Sequence, residues 1–509
     1  MHIYSKISKQ QVAILLFSIL IVALCGIAYQ LIISTVSSYL LGNSVYQFSL
    51  TIGLFMFSMG VGSYLSKLLG DNAIQNFISV EIAISLFGGI SSLLLLMSFP
   101  YVRALYDTVM FGLIFIIGAL VGMEIPILTG ILAKKQSMRD SIANVMSLDY
   151  VGGLIGAVAF PLLLLPHLGL LKSSFAIGLV NIITALINIH FFRDYLSRPR
   201  LMTAISFAVL IMLTAFTVYG TRISSFAEKH LYFDQIIYKK QTPYQRIVVT
   251  QSESNKENRL YIDGHIQFSS RDEYRYHESL VHPLMSIAGS RDNVLILGGG
   301  DGLAIREVLK YDDVKLIHLV DIDPEMTDIS STLPILTKLN ENSFKHEKVT
   351  VYNEDAFSFI NQAGILYDRV IIDMPDPHNE AINKLYSREF YRMIRKRMSD
   401  QGFVVSQSSS PYFTHKTFWG IEKTLDSVFD TTLSYHVTIP SFGIWGFNLA
   451  SAGTSIPESF QFNVDTRFIN QETMQAAMVF PKDTQKIDVP VNSIMEPKLY
   501  QLYLEDLKI

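Results

Sequence analysis

The stretch VLILGGGDG, residues 294–302, decides the fold of the second half of the chain. Its four consecutive apolar residues are typical of a strand buried on both faces of a parallel sheet, and the glycines allow a tight turn into a helix. A second apolar run, residues 317–320, ends in Asp321 about 20 residues further on, where a βαβ unit places the acid that accepts the hydroxyls of a ribose. The pattern predicts a Rossmann-like α/β domain that binds an adenosine-containing ligand.

The spacing of the glycines argues against a dinucleotide. A G-x-G-x-x-G pattern counted from Gly298 places Leu303 at the third glycine, and one counted from Gly300 places Ile305 there. The close approach of a helix to a pyrophosphate is therefore not specified.

Composition divides the 509 residues into two parts. Charged residues make up 17% of the chain, against roughly 25% in soluble proteins. The deficit is concentrated before residue 220, in about seven apolar runs long enough to cross a bilayer. We expect a polytopic helical membrane domain in the cell membrane, with an N-terminal run too long to be a cleaved signal peptide. The runs lie near residues 11–33, 46–66, 76–98, 108–133, 148–171, 173–192 and 201–219.

The basic residues of the connections give a conflicting topology. Nine lie before the first run or in the second, fourth and sixth connections, which share the side of the N-terminus, and two lie in the other connections. The positive-inside rule therefore predicts a cytoplasmic N-terminus. Seven spans would then place the second half outside, although an adenosine-type cosubstrate is supplied in the cytoplasm. We expect a cytoplasmic second half, with the run 148–171 re-entrant, and the sequence leaves the conflict open. The nine are Lys6, Lys9, Lys67, Lys134, Lys135, Arg139, Arg193, Arg198 and Arg200, and the two are Arg103 and Lys172.

Short β-type runs precede the glycine-rich turn. They lie at 236–238, 245–249 and 259–262, and the polar residues 253–258 are suited to a hairpin loop. We therefore divide the chain into a transmembrane domain (1–220), a small antiparallel β domain (221–285) and a Rossmann-like domain (286–509).

At this point the chain resembles the polyamine aminopropyltransferases, the spermidine synthase family, in its membrane-anchored branch. The motifs occur in the order of the family over about residues 230–450. They are Tyr244-Gln245, Asp263-Gly264-x-Ile266-Gln267, Asp272-Glu273-x-x-Tyr276-His277-Glu278, Gly298-Gly299-Gly300-Asp301-Gly302, Asp321-Ile322-Asp323, Glu354-Asp355-Ala356 and Asp373-x-x-Asp376-Pro377.

The resemblance implies an enzyme of spermidine and polyamine biosynthesis. Its reaction is transfer of an aminopropyl group from decarboxylated S-adenosylmethionine to an amine such as putrescine, with release of 5'-methylthioadenosine. The donor is a cosubstrate, and no tightly bound cofactor or metal is implied. The expected partners are a small amine and the lipid bilayer but no nucleic acid, and a homo-oligomer is left open.

The family motifs assign residues to the donor. Asp321 resembles the ribose-binding acid and Asp355 the residue that accepts the adenine amino group. Asp301 places a negative charge where ordinary methyltransferases face the methionine carboxylate, so it should repel S-adenosylmethionine and attract the decarboxylated form. The donor-binding set is Gln245, His277, Gly298, Gly300, Asp301, Asp321, Asp355 and Ala356.

The same motifs assign the acceptor side. An alkylammonium has a pKa of about 10 and attacks only when deprotonated, so the reaction needs a general base. By resemblance Asp376 is that base, and Asp373 and Tyr276 hold the acceptor. Gln267 and Phe442 complete the acceptor side, although Phe442 stands where the family usually has tyrosine.

Two rival functions stay open at this stage. One is an S-adenosylmethionine-dependent amine methyltransferase, against which Asp301 and Asp376 count. The other is a polyamine transporter or sensor whose second half only binds. For Glu81, Glu124 and Asp149, which are costly in hydrocarbon, the alternatives are a polyamine or proton path and internal pairing near helix ends.

Overall fold

The computed structural model describes residues 7–41, 44–70, 72–101, 106–229, 232 and 234–507. The chain forms two compact units, Met1–Asp234 and Gln235–Ile509.

The first unit is helical. Its helices are apolar around most of their circumference, and large apolar side chains such as Phe57, Leu154 and Ile211 remain exposed on them, as expected of helices that face lipid. The helices are α1 Lys9–Leu41, α2 Ser44–Leu65, α3 Ala73–Tyr101, α4 Tyr106–Leu132, α5 Met138–Ala159, α6 Leu165–Phe191 and α7 Pro199–Lys229, with short 3-10 turns at Ser66–Leu68 and Arg193–Tyr195.

Six stretches of the described residues have the length and hydropathy of a membrane span. The fifth and sixth predicted runs merge into one stretch of 54 residues, Met138–Phe191. A π turn at Phe160–Leu164 joins α5 to α6, since Pro161 has no N–H for an ordinary helical bond. The backbone leaves the helical conformation further on, at Gly169 (φ 68°), where glycine has no Cβ to oppose it.

Helix α5 packs closely on α1. A Cβ on Gly152 would lie 2.2 Å from the carbonyl oxygen of Leu20, and one on Gly156 would lie 2.5 Å from that of Leu24. Glycines four residues apart thus let the two backbones touch.

The second unit begins with the small antiparallel sheet that the sequence predicts. Its strands are paired in chain order: β1 Gln235–Gln241, β2 Arg246–Gln251, β3 Asn258–Ile262 and β4 His265–Ser269. Helix α8, Glu273–Ser286, leads from this sheet into the larger one.

The larger sheet has seven strands in the order β10-β11-β9-β8-β5-β6-β7. Strands β5 to β9 are parallel, and β10 and β11 form an antiparallel hairpin on the edge next to β9. The strands are β5 Asn293–Gly298, β6 Leu316–Val320, β7 Val349–Tyr352, β8 Tyr367–Asp373, β9 Met398–Gln407, β10 Thr431–Ile439 and β11 Gly443–Ser451.

Helices cover both faces of this sheet. Val294 and Ile296 of β5 belong to one hydrophobic core and Leu295 and Leu297 to another, which confirms that the strand is buried on both faces. The helices are α9 Leu303–Val308, α10 Pro324–Thr332, α11 Pro334–Leu339, α12 Ala356–Gln362, α13 Glu380–Asn383, α14 Arg388–Lys396, α15 His415–Asp426, α16 Gln471–Ala477 and α17 Lys498–Asp506, with 3-10 turns at Ser343–Lys345 and Lys384–Tyr386.

The chain order reverses between β5 and β8. It runs from β5 outward to β7 on one side and from β8 outward to β9 on the other. In open α/β sheets, ligands bind at such a switch point, beyond the carboxyl ends of the strands. The fold therefore places a candidate site at the ends of β5, β6 and β8.

Candidate active site

The glycine-rich turn brings the ends of three strands together. A Cβ on Gly298 (φ 82°) would lie 2.1 Å from the carbonyl oxygen of Asp373, and one on Gly300 would lie 2.4 Å from Asp321 Oδ2. The N–H of Gly299 donates to the carbonyl oxygen of Asp373 at 3.1 Å. Glycine is thus required where the turn touches the acids that end β8 and β6.

Asp321, the residue predicted to bind ribose, directly follows β6. Its carboxylate accepts the backbone N–H groups of Gly300 at 3.1 Å and Asp323 at 2.9 Å. Burial raises the pKa of Asp321 to about 6, against the effect of these bonds. Because a carboxylate has about four acceptor positions, it keeps room to accept ribose hydroxyls.

Gln245 lies in the turn between β1 and β2. This turn is attached to the loop after β6, which contains Asp321 and Asp323. The Oγ1 atom of Thr242 lies 2.8 Å from Asp323 Oδ2 and accepts the N–H of Gln245 at 3.0 Å. The small sheet thus places Gln245 near the end of β6.

Asp301 follows the glycines and faces His277. Its Oδ1 atom accepts the N–H of Leu303 at 2.9 Å, and its Oδ2 atom lies 3.9 Å from His277 Nε2. The other ring nitrogen of His277 lies 3.0 Å from Glu273 Oε2, and Glu273 accepts two bonds of 2.9 Å from Arg306. This chain of contacts holds His277 and Asp301 in place from α8 and α9.

His277 is cationic at neutral pH. Burial opposes its charged form, but the hydrogen bond with Glu273 and the charge of Asp301 raise the pKa of His277 to about 9. Burial raises the pKa of Asp301, and the charge of His277 opposes that rise. The charge of His277 therefore favours the anionic form of Asp301, which burial disfavours.

Asp355 caps α12, and the buried Ala356 begins that helix. Its carboxylate accepts the N–H of Ser358 at 3.0 Å and a bond of 2.7 Å from Lys384 Nζ. Although burial acts in the opposite direction, the bond with Lys384 lowers the pKa of Asp355. Lys384 is not among the predicted residues. It bonds the same carboxylate that is expected to accept the adenine amino group.

Tyr276 joins α8 to the end of β8. Its hydroxyl donates to Asp373 Oδ1 at 2.6 Å, and its ring centroid lies 5.4 Å from that of Phe447 and 6.1 Å from that of Phe442. Burial and the charge of Asp301 raise the pKa of Asp373 to about 6. The structure thus brings Tyr276, Asp373 and Phe442 together, and their contact with an acceptor stays a prediction.

Asp376 is held by residues that the sequence reasoning missed. Its Oδ2 atom accepts the hydroxyl of Ser409 at 3.1 Å, and its Oδ1 atom lies 3.4 Å from Gln407 Nε2. Gln407 is itself fixed, because Tyr386 OH lies 2.6 Å from its Nε2 atom and Trp445 Nε1 donates to its Oε1 atom at 3.2 Å. Gln407 could have been predicted from the sequence in the same way as Asp373, because each is a polar residue at the end of an apolar strand.

The environment of Asp376 sets its basicity. Burial raises its pKa to about 6, and the bonds from Ser409 and Gln407 oppose the rise. A carboxylate with this pKa is mostly ionised at neutral pH, yet it is a stronger base than an exposed aspartate.

The described contacts do not join Gln267 to the acids at the strand ends. It lies on β4, and its side chain donates to the carbonyl oxygen of His265 in the same strand at 3.2 Å. The ring of His265 lies 5.4 Å from that of His378, two residues beyond Asp376. β4 therefore lies near the segment that follows the proposed base, and a substrate contact of Gln267 stays a prediction.

The assembled site concentrates negative charge. Asp301, Asp321, Asp373 and Asp376 lie at or just beyond the carboxyl ends of three adjacent strands. Such a field favours a polycationic ligand over a neutral or anionic one. Within the described ranges, no group of three metal-ligating side chains has the arrangement of a metal site.

Comparisons with known proteins find similar polyamine aminopropyltransferases. Residues 273–463 match the family model described as the spermine/spermidine synthase domain. A polyamine aminopropyltransferase of Leptospira interrogans is 43% identical over 489 residues, which cover 96% of this chain and 97% of the relative. One from Oceanobacillus iheyensis is 39% identical over 503 residues, with 97% of each chain covered. These similarities extend through both units.

A solved structure is also similar. It is a spermidine synthase in complex with the transition-state analogue AdoDATO, 25% identical, with a TM-score of 0.45. The match covers 48% of this chain and 86% of the solved one.

Proposed function

The chain belongs to the polyamine aminopropyltransferase family, and from this membership we propose how its residues carry out the reaction. The reaction is aminopropyl transfer from decarboxylated S-adenosylmethionine to an amine, with release of 5'-methylthioadenosine. The observation that carries the proposal is the cluster of Asp301, Asp373 and Asp376, with Tyr276 bonded to its centre.

The donor lies across the ends of β5, β6 and β7. Asp321 accepts its ribose hydroxyls, and Gln245 and the glycine turn line the same side. Asp355 accepts the adenine amino group once Lys384 has moved away. Asp301 accepts the aminopropyl ammonium, where the carboxylate of S-adenosylmethionine would meet like charge.

The acceptor lies at the end of β8. Asp373 and Tyr276 orient its amino groups, and Asp376 removes a proton from the attacking one. The free nitrogen attacks the aminopropyl methylene carbon bonded to sulfur, and the carbon–sulfur bond breaks with its electron pair moving to the sulfonium. Methylthioadenosine leaves uncharged, and the proton remains on Asp376.

Donor selectivity is the sharpest test of the proposed charge filter. Asp301→Asn keeps the volume of the side chain but removes its charge. We expect the preference for the decarboxylated donor over S-adenosylmethionine to fall by about tenfold or more, since hydrogen bonds to charged groups contribute about 1.5–3 kcal/mol. Calorimetric titration of both donors measures it, with the exposed Asp328→Asn as the matched control. An unchanged preference would place the filter elsewhere.

For the first unit we propose a multi-pass anchor in the cell membrane, with the second unit facing the cytoplasm. Six long apolar stretches and exposed apolar side chains support the anchor. The chain's one cysteine, Cys25, is buried, so Cys25→Ser gives a background without thiols.

In that background, Glu253→Cys places a thiol on the exposed loop between β2 and β3. A membrane-impermeant maleimide should label it only after the cells are permeabilised. Labelling of intact cells would show that the second unit faces outward.

A further inference from the structure

The chain returns to the segment beyond Asp376 after the part that the family model matches. That match ends at residue 463, and the chain continues through α16 and α17. A stretch without helix or strand joins these two helices, and its residue Asn492 is fully buried. Because buried amides are hydrogen-bonded, the contacts of Asn492 identify what this stretch holds in place.

Asn492 lies where three short elements meet. α13 ends at Asn383, the 3-10 turn ends at Tyr386, and α14 begins at Arg388. Helix ends leave backbone groups without partners, which at a buried junction other parts of the chain must satisfy. The Nδ2 atom of Asn492 donates to the carbonyl oxygens of Asn383 at 3.2 Å and Tyr386 at 3.0 Å, and its own carbonyl oxygen accepts the N–H of Arg388 at 2.9 Å. One buried residue thus fixes the path of the chain from α13 to α14.

Asn492 is also fixed from its other side. Its N–H donates to Thr424 Oγ1 at 3.0 Å, and its Oδ1 atom accepts the N–H of Leu499, near the start of α17, at 3.2 Å. The N–H of Tyr500 donates to Asn383 Oδ1 at 3.0 Å. Each polar atom of Asn492 therefore has a partner, and the junction is tied to α15 and α17.

Tyr386 connects this junction to the acid that we assign as the base. Its hydroxyl is buried and lies 3.1 Å from the carbonyl oxygens of Met374 and Pro375, the two residues before Asp376. The same hydroxyl lies 2.6 Å from Gln407 Nε2, which lies 3.4 Å from Asp376 Oδ1. A shift of the Tyr386 backbone would therefore disturb both supports of the base.

We propose that Asn492 is a positioning residue for Asp376 and acts through Tyr386. The inference rests on the proposed aminopropyl transfer, in which Asp376 takes the proton of the attacking amine. Proton transfer requires the base to lie within hydrogen-bond reach of that proton, so a small displacement slows the chemical step. The donor acids Asp301 and Asp321, which follow β5 and β6, stay in place. The contribution of Asn492 therefore belongs to kcat and not to donor affinity.

Asn492→Ala tests this role in the purified full-length chain. We expect kcat at saturating substrates to fall by about tenfold, the effect of losing one or two neutral hydrogen bonds. Donor binding, measured by calorimetry, should be no weaker. Asn492→Asp keeps the volume and the acceptor for Leu499 but loses both donated bonds, so it should show the same loss and replaces the alanine variant if that does not fold. Each variant is assayed below its own Tm.

Asp506→Ala is the matched control for a purely structural role. Asp506 ends α17, and its Oδ2 atom accepts the N–H and the hydroxyl of Thr417, each at 3.0 Å. These bonds tie α17 to α15 but do not reach the junction at Asn492. The control should lower Tm, as Asn492→Ala does, and leave kcat unchanged.

A double-mutant cycle tests the route through Tyr386. Tyr386→Phe removes the hydroxyl and should itself lower kcat by about tenfold. If Asn492 acts through that hydroxyl, adding Asn492→Ala should cause no further loss. Independent effects would multiply instead, to about a hundredfold.

Three results would overturn the positioning role while the wild-type chain is active. They are unchanged kcat in the Asn492 variants, multiplied losses in the cycle, and an equal loss of kcat in Asp506→Ala. A wild-type chain that forms no methylthioadenosine would refute the proposed aminopropyl transfer, and the positioning role with it. The two failures are therefore distinguishable.

Discussion

Replacing Asp376 by Asn should abolish most of the activity while making the second unit more stable. The substitution keeps the volume and the acceptor for Gln407 but removes the base. General bases contribute about 10²–10⁴-fold, so we expect kcat to fall by that factor with donor affinity unchanged.

The stability change follows from the pKa of Asp376. Burial raises it from an ordinary 3.8 to about 6, so folding disfavours the ionised form at every pH above 6. This change in pKa corresponds to about 3 kcal/mol, which we discount to about 1–2 kcal/mol because the side chain is partly exposed. The gain from Asn should be largest at pH 8 and should shrink as the pH falls from about 6 toward 4.

Tryptophan fluorescence can measure this change in the full-length chain. Both tryptophans, Trp419 and Trp445, lie in the second unit, and Trp445 contacts the residue that holds Asp376. The expected rise in Tm at pH 8 is roughly 2–6 °C. A lower Tm, or activity within about threefold of wild type, would refute the assignment of Asp376 as a buried base, and Asp328→Asn serves as the inert control.

Three further substitutions test neighbouring contacts. Lys384→Ala should free Asp355 and tighten donor binding about two- to fivefold in calorimetry, and weaker binding would show that Lys384 itself holds the donor. Tyr276→Phe removes the bond to Asp373 and should raise the acceptor KM about tenfold with the donor Kd unchanged; an equal loss for both substrates would indicate a general collapse of the site. His277→Gln should lower Tm at pH 6, and the difference should disappear as the pH rises through about 9, where the raised pKa of His277 ends its contribution; a constant difference would contradict the ion-pair role.

The parts of the fold that the sequence predicts are those whose cause is local. The run 294–297 and the glycines after it predict β5 and its turn. Asp321 and Asp373 each end an apolar run. Their meeting at one edge follows from parallel strand topology, in which carboxyl ends lie together.

Other parts depend on contacts that leave no local pattern. Trp445 reaches Gln407 because β11 pairs antiparallel with β9, an arrangement that spacing alone does not indicate. The pairing of Lys384 with Asp355 joins residues 29 positions apart. In the helical unit, hydropathy places a boundary near residue 171, and the backbone leaves the helical conformation close by, at Gly169, a position that backbone conformation decides.

The central claim is that the acid cluster selects a decarboxylated donor and transfers its aminopropyl group. The most direct measurement incubates the purified full-length chain with a panel of amines and either decarboxylated S-adenosylmethionine or S-adenosylmethionine, and identifies the products by mass spectrometry. We predict 5'-methylthioadenosine and an amine extended by one aminopropyl group with the decarboxylated donor alone, and neither product from Asp376→Asn beyond a trace. A methylated amine formed from S-adenosylmethionine, or donor binding without any methylthioadenosine, would contradict the account.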